Sequence, residues 1–82
     1  MAAQDLGYSG TVYDEIGTPL IGAGVIKAGS TGGTITDLNG QWALNARPGD
    51  KIIVSYLGYI DQEIVLTEKT TLDIYLAEDT KM

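Results

Sequence analysis

Breaks in the chain recur about every ten residues, and this regularity is the strongest constraint on the fold. Gly17-Thr18-Pro19, Gly29-Ser30-Thr31-Gly32, Asn39-Gly40, Pro48-Gly49, Gly58 and Glu68-Lys69 punctuate the sequence. Turn residues at this spacing leave segments long enough for strands and too short for stable helices. Every 15-residue window up to Gly58 holds a Gly or Pro, and inside a helix these residues cost about 1 and 3 kcal/mol respectively. Between the breaks the pattern alternates with period two. Leu72, Ile74 and Leu76 share one face against Asp73 and Tyr75, and Trp42 and Leu44 oppose Gln41, Ala43 and Asn45. Six breaks give seven short strands, near Tyr8–Asp14, Ala23–Ala28, Gly33–Asp37, Gln41–Asn45, Lys51–Tyr56, Tyr59–Leu66 and Thr71–Leu76.

The expected fold is all-β, a seven-stranded β-sandwich with antiparallel or mixed sheets. Its core is read as Val12, Leu20, Ala23, Val25, Ile35, Trp42, Leu44, Ile52, Val54, Tyr56, Ile64, Leu66, Leu72, Ile74 and Leu76. At roughly 1.5–3 kcal/mol per large buried side chain, such a core holds two sheets together without a covalent staple. That matters because the 82 residues include no Cys, so neither a disulfide nor a thiolate metal site is available. Residues 8–77 form the expected domain, 1–7 precede it as a disordered or artificially added segment, and 78–82 fray as a polar tail.

Missing residue types narrow the chemistry further. With no His, the serines Ser9, Ser30 and Ser55 have no imidazole base, and nothing places Lys27 or Lys51 beside them. Asp14-Glu15 and Glu78-Asp79 are sequence neighbours that diverge in a strand and are solvated in a turn, which disfavours general acid–base work. The chain is therefore expected to have no catalytic residues, no metal and no cofactor. A net charge of −6, with the five cations Lys27, Arg47, Lys51, Lys69 and Lys81 scattered, repels phosphate and argues against nucleic acid as a partner. No apolar run approaches the roughly 20 residues needed to span a bilayer as a helix, and Met1-Ala2-Ala3-Gln4-Asp5 lacks the features of a signal peptide. The chain is expected either to stay in the cytoplasm or to be a part cut from something larger.

Three local motifs invite a functional reading. Asp37 and Asn39 before Gly40 imitate the opening of a calcium loop, but the later oxygen ligands are missing and the next carboxylate is Asp50. The simpler reading is a β-hairpin in which Asn39-Gly40 supplies positive φ values and Asp37 caps the turn. Gly22-Ala23-Gly24 and Gly29-Ser30-Thr31-Gly32-Gly33 lack the helix and the Lys of a phosphate cradle. In Ser55-Tyr56-Leu57-Gly58-Tyr59, two Tyr flank a turn at Gly58. One ring is expected to close the end of the core and the other to present its hydroxyl at the rim, so Tyr56 and Tyr59 are the candidate protein-contact residues. For a carbohydrate-binding module the aromatics on offer are Tyr8, Tyr13, Trp42 and Tyr75, although Trp42 has core phase.

Taken in order, several segments form a pattern across residues 8–79. These are Gly10-Thr11-Val12-Tyr13-Asp14, Gly17-Thr18-Pro19-Leu20-Ile21-Gly22-Ala23-Gly24-Val25, Gly33-Thr34-Ile35-Thr36-Asp37-Leu38-Asn39-Gly40-Gln41-Trp42, Ser55-Tyr56-Leu57-Gly58-Tyr59 and Leu76-Ala77-Glu78-Asp79. The pattern resembles the carboxypeptidase D regulatory-like domain, in the version found at the N-terminus of SusC-type TonB-dependent outer-membrane transporters of Bacteroidetes. The resemblance implies a transthyretin-like sandwich on the periplasmic side of the outer membrane, ahead of a TonB box, plug and barrel that are not among these residues. Ala3-Gln4 resembles what signal-peptidase cleavage leaves in such proteins, implying an excised domain with an added Met. The partners implied are the parent's own plug and barrel, the TonB complex and, through the parent, a SusD-like lipoprotein, in glycan or peptide import. A second context in the family is the non-catalytic sandwich of metallocarboxypeptidases, where a binding module or structural spacer is the alternative role. Transthyretin-like hydrolases of purine degradation share the broad fold but rely on His, which this chain lacks.

Overall fold

The computed structural model describes residues 5–80, and the expectations for the residues outside that range lie beyond it. Seven strands follow one another: β1 (Leu6–Tyr13), β2 (Gly24–Lys27), β3 (Gly33–Ile35), β4 (Gln41–Ala46), β5 (Lys51–Ser55), β6 (Gln62–Val65) and β7 (Thr71–Tyr75). They form a β-sandwich of two sheets, one ordered β4-β1-β7 and the other β3-β2-β5-β6. All pairings are antiparallel except β1 with β7, which is parallel and runs from Ser9↔Thr71 to Tyr13↔Tyr75. The first strand is therefore the centre of its sheet. It begins two residues before the expected start and takes in Leu6 and Gly7, which pair with Ala46 and Asn45.

Alternation along the strands builds the core. Tyr8, Val12, Trp42, Ala46 and Ile74 from one sheet meet Val25, Ile52 and Val54 from the other, with Leu20, Ala23, Leu66 and Leu76 closing the ends from loops. Leu44, Tyr56, Ile64 and Leu72 are half-buried against this cluster. The expected core needs one correction and two additions. Ile35 is 68% exposed, because β3 is in the opposite phase from the one expected and Thr36 takes the inward position. Thr36 is buried, its hydroxyl donating to the Leu20 carbonyl at 2.5 Å and accepting the Ala23 N–H at 2.9 Å. A polar side chain is the better inward group here, since the Leu20–Ala23 turn presents backbone groups that need partners. Tyr8 and Ala46 are the additions.

The turn at residues 37–40 also differs from expectation. Its strands, β3 and β4, belong to different sheets, so it is a crossover and not a hairpin within one sheet. Only Gly40 has positive φ, at 73°, and Asn39 does not. The Gly40 N–H donates to Asp37 O, and the Asp37 N–H to Gln41 O, both at 2.9 Å. A four-residue turn followed by one left-handed Gly fits this bonding and needs no unusual backbone at Asn39. Gly40 is buried, and a Cβ there would lie 2.7 Å from Pro19 Cβ and 3.0 Å from Val12 O, so the turn packs directly against the end of β1.

The tail expected to fray is tied back at its start. Glu78 bridges Tyr59, and the Asp79 N–H donates to Gly58 O at 2.9 Å.

Candidate functional site

The strand directions set where charged and aromatic residues collect. β1 runs from one end of the sandwich, at Asp5, to the other, at Asp14. β5 starts beside the first end at Lys51 and leaves at the second through Ser55. The second end carries the turn at Tyr56–Tyr59, the Asp14–Thr18 loop and the returning segment 77–79.

The Tyr56–Tyr59 turn is closed by the Tyr59 N–H donating to Tyr56 O at 2.9 Å, with Gly58 at φ 86°. A left-handed third residue with a negative φ before it is the type II turn, which Gly favours. Tyr56 and Tyr59 are both half-buried and meet edge to face, with ring centroids 5.6 Å apart and planes at 62°. Both rings pack against the end of the core, and Tyr59 also lines the open cleft beside it. That pair leaves Leu57, at the turn's tip, 95% exposed.

Beside it, Asp14, Glu15, Ile16, Tyr59 and Glu78 line a shallow cleft. Asp14 shapes its own loop, with Oδ1 accepting the N–H groups of Ile16 at 3.0 Å and Thr18 at 2.8 Å. This is the geometry found at Asp37, whose Oδ1 accepts from Asn39 and Gln41 at 2.9 Å each. Both loops place a Gly three residues after the Asp, Gly17 and Gly40, each with positive φ. The shared Asp-x-x-Gly spacing was the available sequence signal for the Asp14 loop. At both positions a carboxylate oxygen is occupied by backbone donors, the arrangement of a turn cap. Among the described residues no group of three or more metal-ligating side chains is placed to hold an ion.

Electrostatics marks the same end. Burial pushes the Tyr59 phenol above its usual value, and Glu78, Asp14, Glu15 and Tyr56 add to the shift. The described cations lie elsewhere. Lys27 faces Asp50 at 3.9 Å, Arg47 Nε bonds Asp5 at 3.0 Å and Lys51 meets Glu63 at 3.4 Å, while Lys69 follows β6 at that same first end.

The four aromatics offered for sugar stacking do not form a platform. Tyr8 and Trp42 lie in the core, Tyr8 donating its hydroxyl to Thr67 O at 2.5 Å. Tyr13 and Tyr75 stack on each other across the β1–β7 pair, with centroids 4.8 Å apart and planes at 20°, so each covers a face the other would offer to a sugar.

Residues 8–82 match the model of the CarboxypepD_reg-like domain. The chain belongs to this family. The TonB-dependent receptor SusC of Bacteroides thetaiotaomicron is 41% identical to it over 80 residues, 98% of the chain. A second relative, the TonB-dependent receptor P26 of Formosa agariphila, is 40% identical over 74 residues, or 90% of the chain. The chain spans only 8% and 7% of the lengths of these two relatives. The CarboxypepD_reg-like match extends past Asp79, so the returning strand segment and the Tyr56–Tyr59 turn both belong to the matched region.

Proposed function

We propose that this domain is a non-catalytic accessory module of a SusC-like TonB-dependent transporter, placed on the periplasmic side of the outer membrane and working by protein contact. The observation that carries this reading is the coverage. Nearly the whole chain aligns to a small fraction of each receptor, so what it contributes is one part of a larger machine. The geometry supports contact as the means. Exposed Leu57 and Ile16 project beside half-buried Tyr59 at the end to which residues 77–79 return, and apolar groups rimmed by polar ones favour protein association.

In this reading the neighbours in reach are the parent's own plug and barrel and the TonB complex that drives it, with a SusD-like lipoprotein engaged through the parent. The domain then adjusts how the energy-transducing machinery meets the receptor during import of glycans or peptides. Deleting the domain from its parent and measuring growth on the transported substrate tests the proposal, with impaired uptake the expected result. Unchanged uptake refutes it. Replacement by an unrelated sandwich of equal size separates contact from spacing, since a spacer role predicts full rescue.

A further inference from the structure

The acidic surplus of this chain is sorted along its length. Lys27, Arg47, Lys51 and Lys69 all lie toward the end where β1 begins, among Asp5, Asp50, Glu63 and Glu68, and three of the four stand within 4.0 Å of a carboxylate. The opposite end carries Asp14, Glu15 and Glu78 around the Tyr59 cleft, with no Lys or Arg among the described residues of the loops that form it. Large apolar side chains stand in the same place. Ile16 is 88% exposed and lines the cleft, Leu57 tips the adjoining turn, and Ile60 is exposed just after it. Exposed apolar groups set beside carboxylates, with no described Lys or Arg in the same loops, are a cost to an isolated domain that a partner of opposite charge would relieve.

From this juxtaposition we propose that the Tyr59 end is a docking surface for a basic segment of a partner polypeptide, one that seats an apolar side chain against Ile16 and Leu57 and sets flanking Lys or Arg against Glu15 and Glu78. The inference deepens the contact reading above and rests on it. Charge complementarity selects the occupant. Anionic lipid and nucleic acid are repelled, and a second copy presenting the same end brings like charges together. A head-to-tail copy finds three of the four described cations already paired to their own carboxylates.

The test titrates the isotope-labelled chain with a synthetic peptide of alternating Lys and Leu, in about 0.15 M salt so that distant charges are screened. Saturable shifts are expected at the amides of residues 14–18, 56–60 and 77–79. Leu57→Ser and Ile16→Ser, both at exposed positions that leave the core intact, weaken binding several-fold, and the pair Glu15→Lys and Glu78→Lys abolishes it. A peptide of Lys and Ser that binds equally well, shifts centred on Glu63 or Asp73, or concentration-dependent self-association through this end overturns the proposal. The same charge reversal in the intact transporter separates the two readings. Impaired uptake on deletion but normal uptake on reversal overturns the basic partner and leaves contact standing; normal uptake in both overturns both.

Discussion

Gly10→Ala is the sharpest perturbation the fold offers. Gly10 sits in the middle of β1, opposite Trp42 on one side and Leu72 on the other. A Cβ built there lies 1.6 Å from the Leu72 carbonyl oxygen, 2.5 Å from its carbon and 3.1 Å from its nitrogen. All three are backbone atoms, so no rotamer change relieves the overlap. Restoring ordinary contact requires β1 and β7 to separate by roughly 2 Å, which exceeds what N–H···O bonds tolerate. Losing two or three bonds of the parallel ladder, with their groups held partly out of water, costs about 3 kcal/mol or more. A domain of this size holds roughly 4–12 kcal/mol in total, so the loss is a large share of it. At about 4–8 °C per kcal/mol, the melting temperature falls by about 12 °C or more. Gly7→Ala, in the same strand but two positions before the β1–β7 ladder begins at Ser9, is the control, because its Cβ would meet only Asn45 Oδ1 at 3.9 Å. It is expected to change stability by less than about 1 kcal/mol. Thermal and urea unfolding of both variants decide the matter, and a Gly10→Ala midpoint within about 3 °C of the Gly7→Ala midpoint refutes the argument.

Thr36→Val strands the Leu20 carbonyl and the Ala23 N–H inside the protein, so it is expected to cost about 1–3 kcal/mol in urea unfolding. Ile35→Thr next to it, at an exposed position, is expected to stay within about 0.5 kcal/mol. Asp37→Ala removes the acceptor for Asn39 and Gln41 and is expected to cost about 1 kcal/mol; because Asp37 acts as a cap, added calcium leaves the melting temperature of the unmodified chain unchanged. Burial, with Asp50 and Glu68 adding, holds the Tyr8 phenol above its usual 10.0. The folded state therefore binds this proton more tightly than the unfolded chain does. Its stabilisation is complete below pH 10.0 and is lost as pH rises through the raised value. Melting temperatures across that range are expected to fall more steeply for the unmodified chain than for Tyr8→Phe.

The sequence by itself determined the number of strands and nearly all of the core, for reasons that act locally. Period-two alternation puts Leu72, Ile74 and Leu76 on one face whatever the strands pair with, and Gly, Pro and Asn break a strand wherever they occur. The Asp37 cap is local too, since its carboxylate bonds amides two and four residues away. Only the tertiary structure decided that β1 pairs parallel with β7, because alternation is the same for either partner and either direction. For the same reason hydrophobicity alone places Ile35 in the core, where the structure does not. The deciding fact, that the Leu20–Ala23 turn presents backbone groups to Thr36, comes from residues 13 and 16 positions away. Tyr56 and Tyr59 were legible as a turn pair, but the surface beside them was not. Glu78 is separated from Asp14, Glu15 and Ile16 by some sixty residues of chain, and the strand directions alone bring them to one end and leave the described cations at the other.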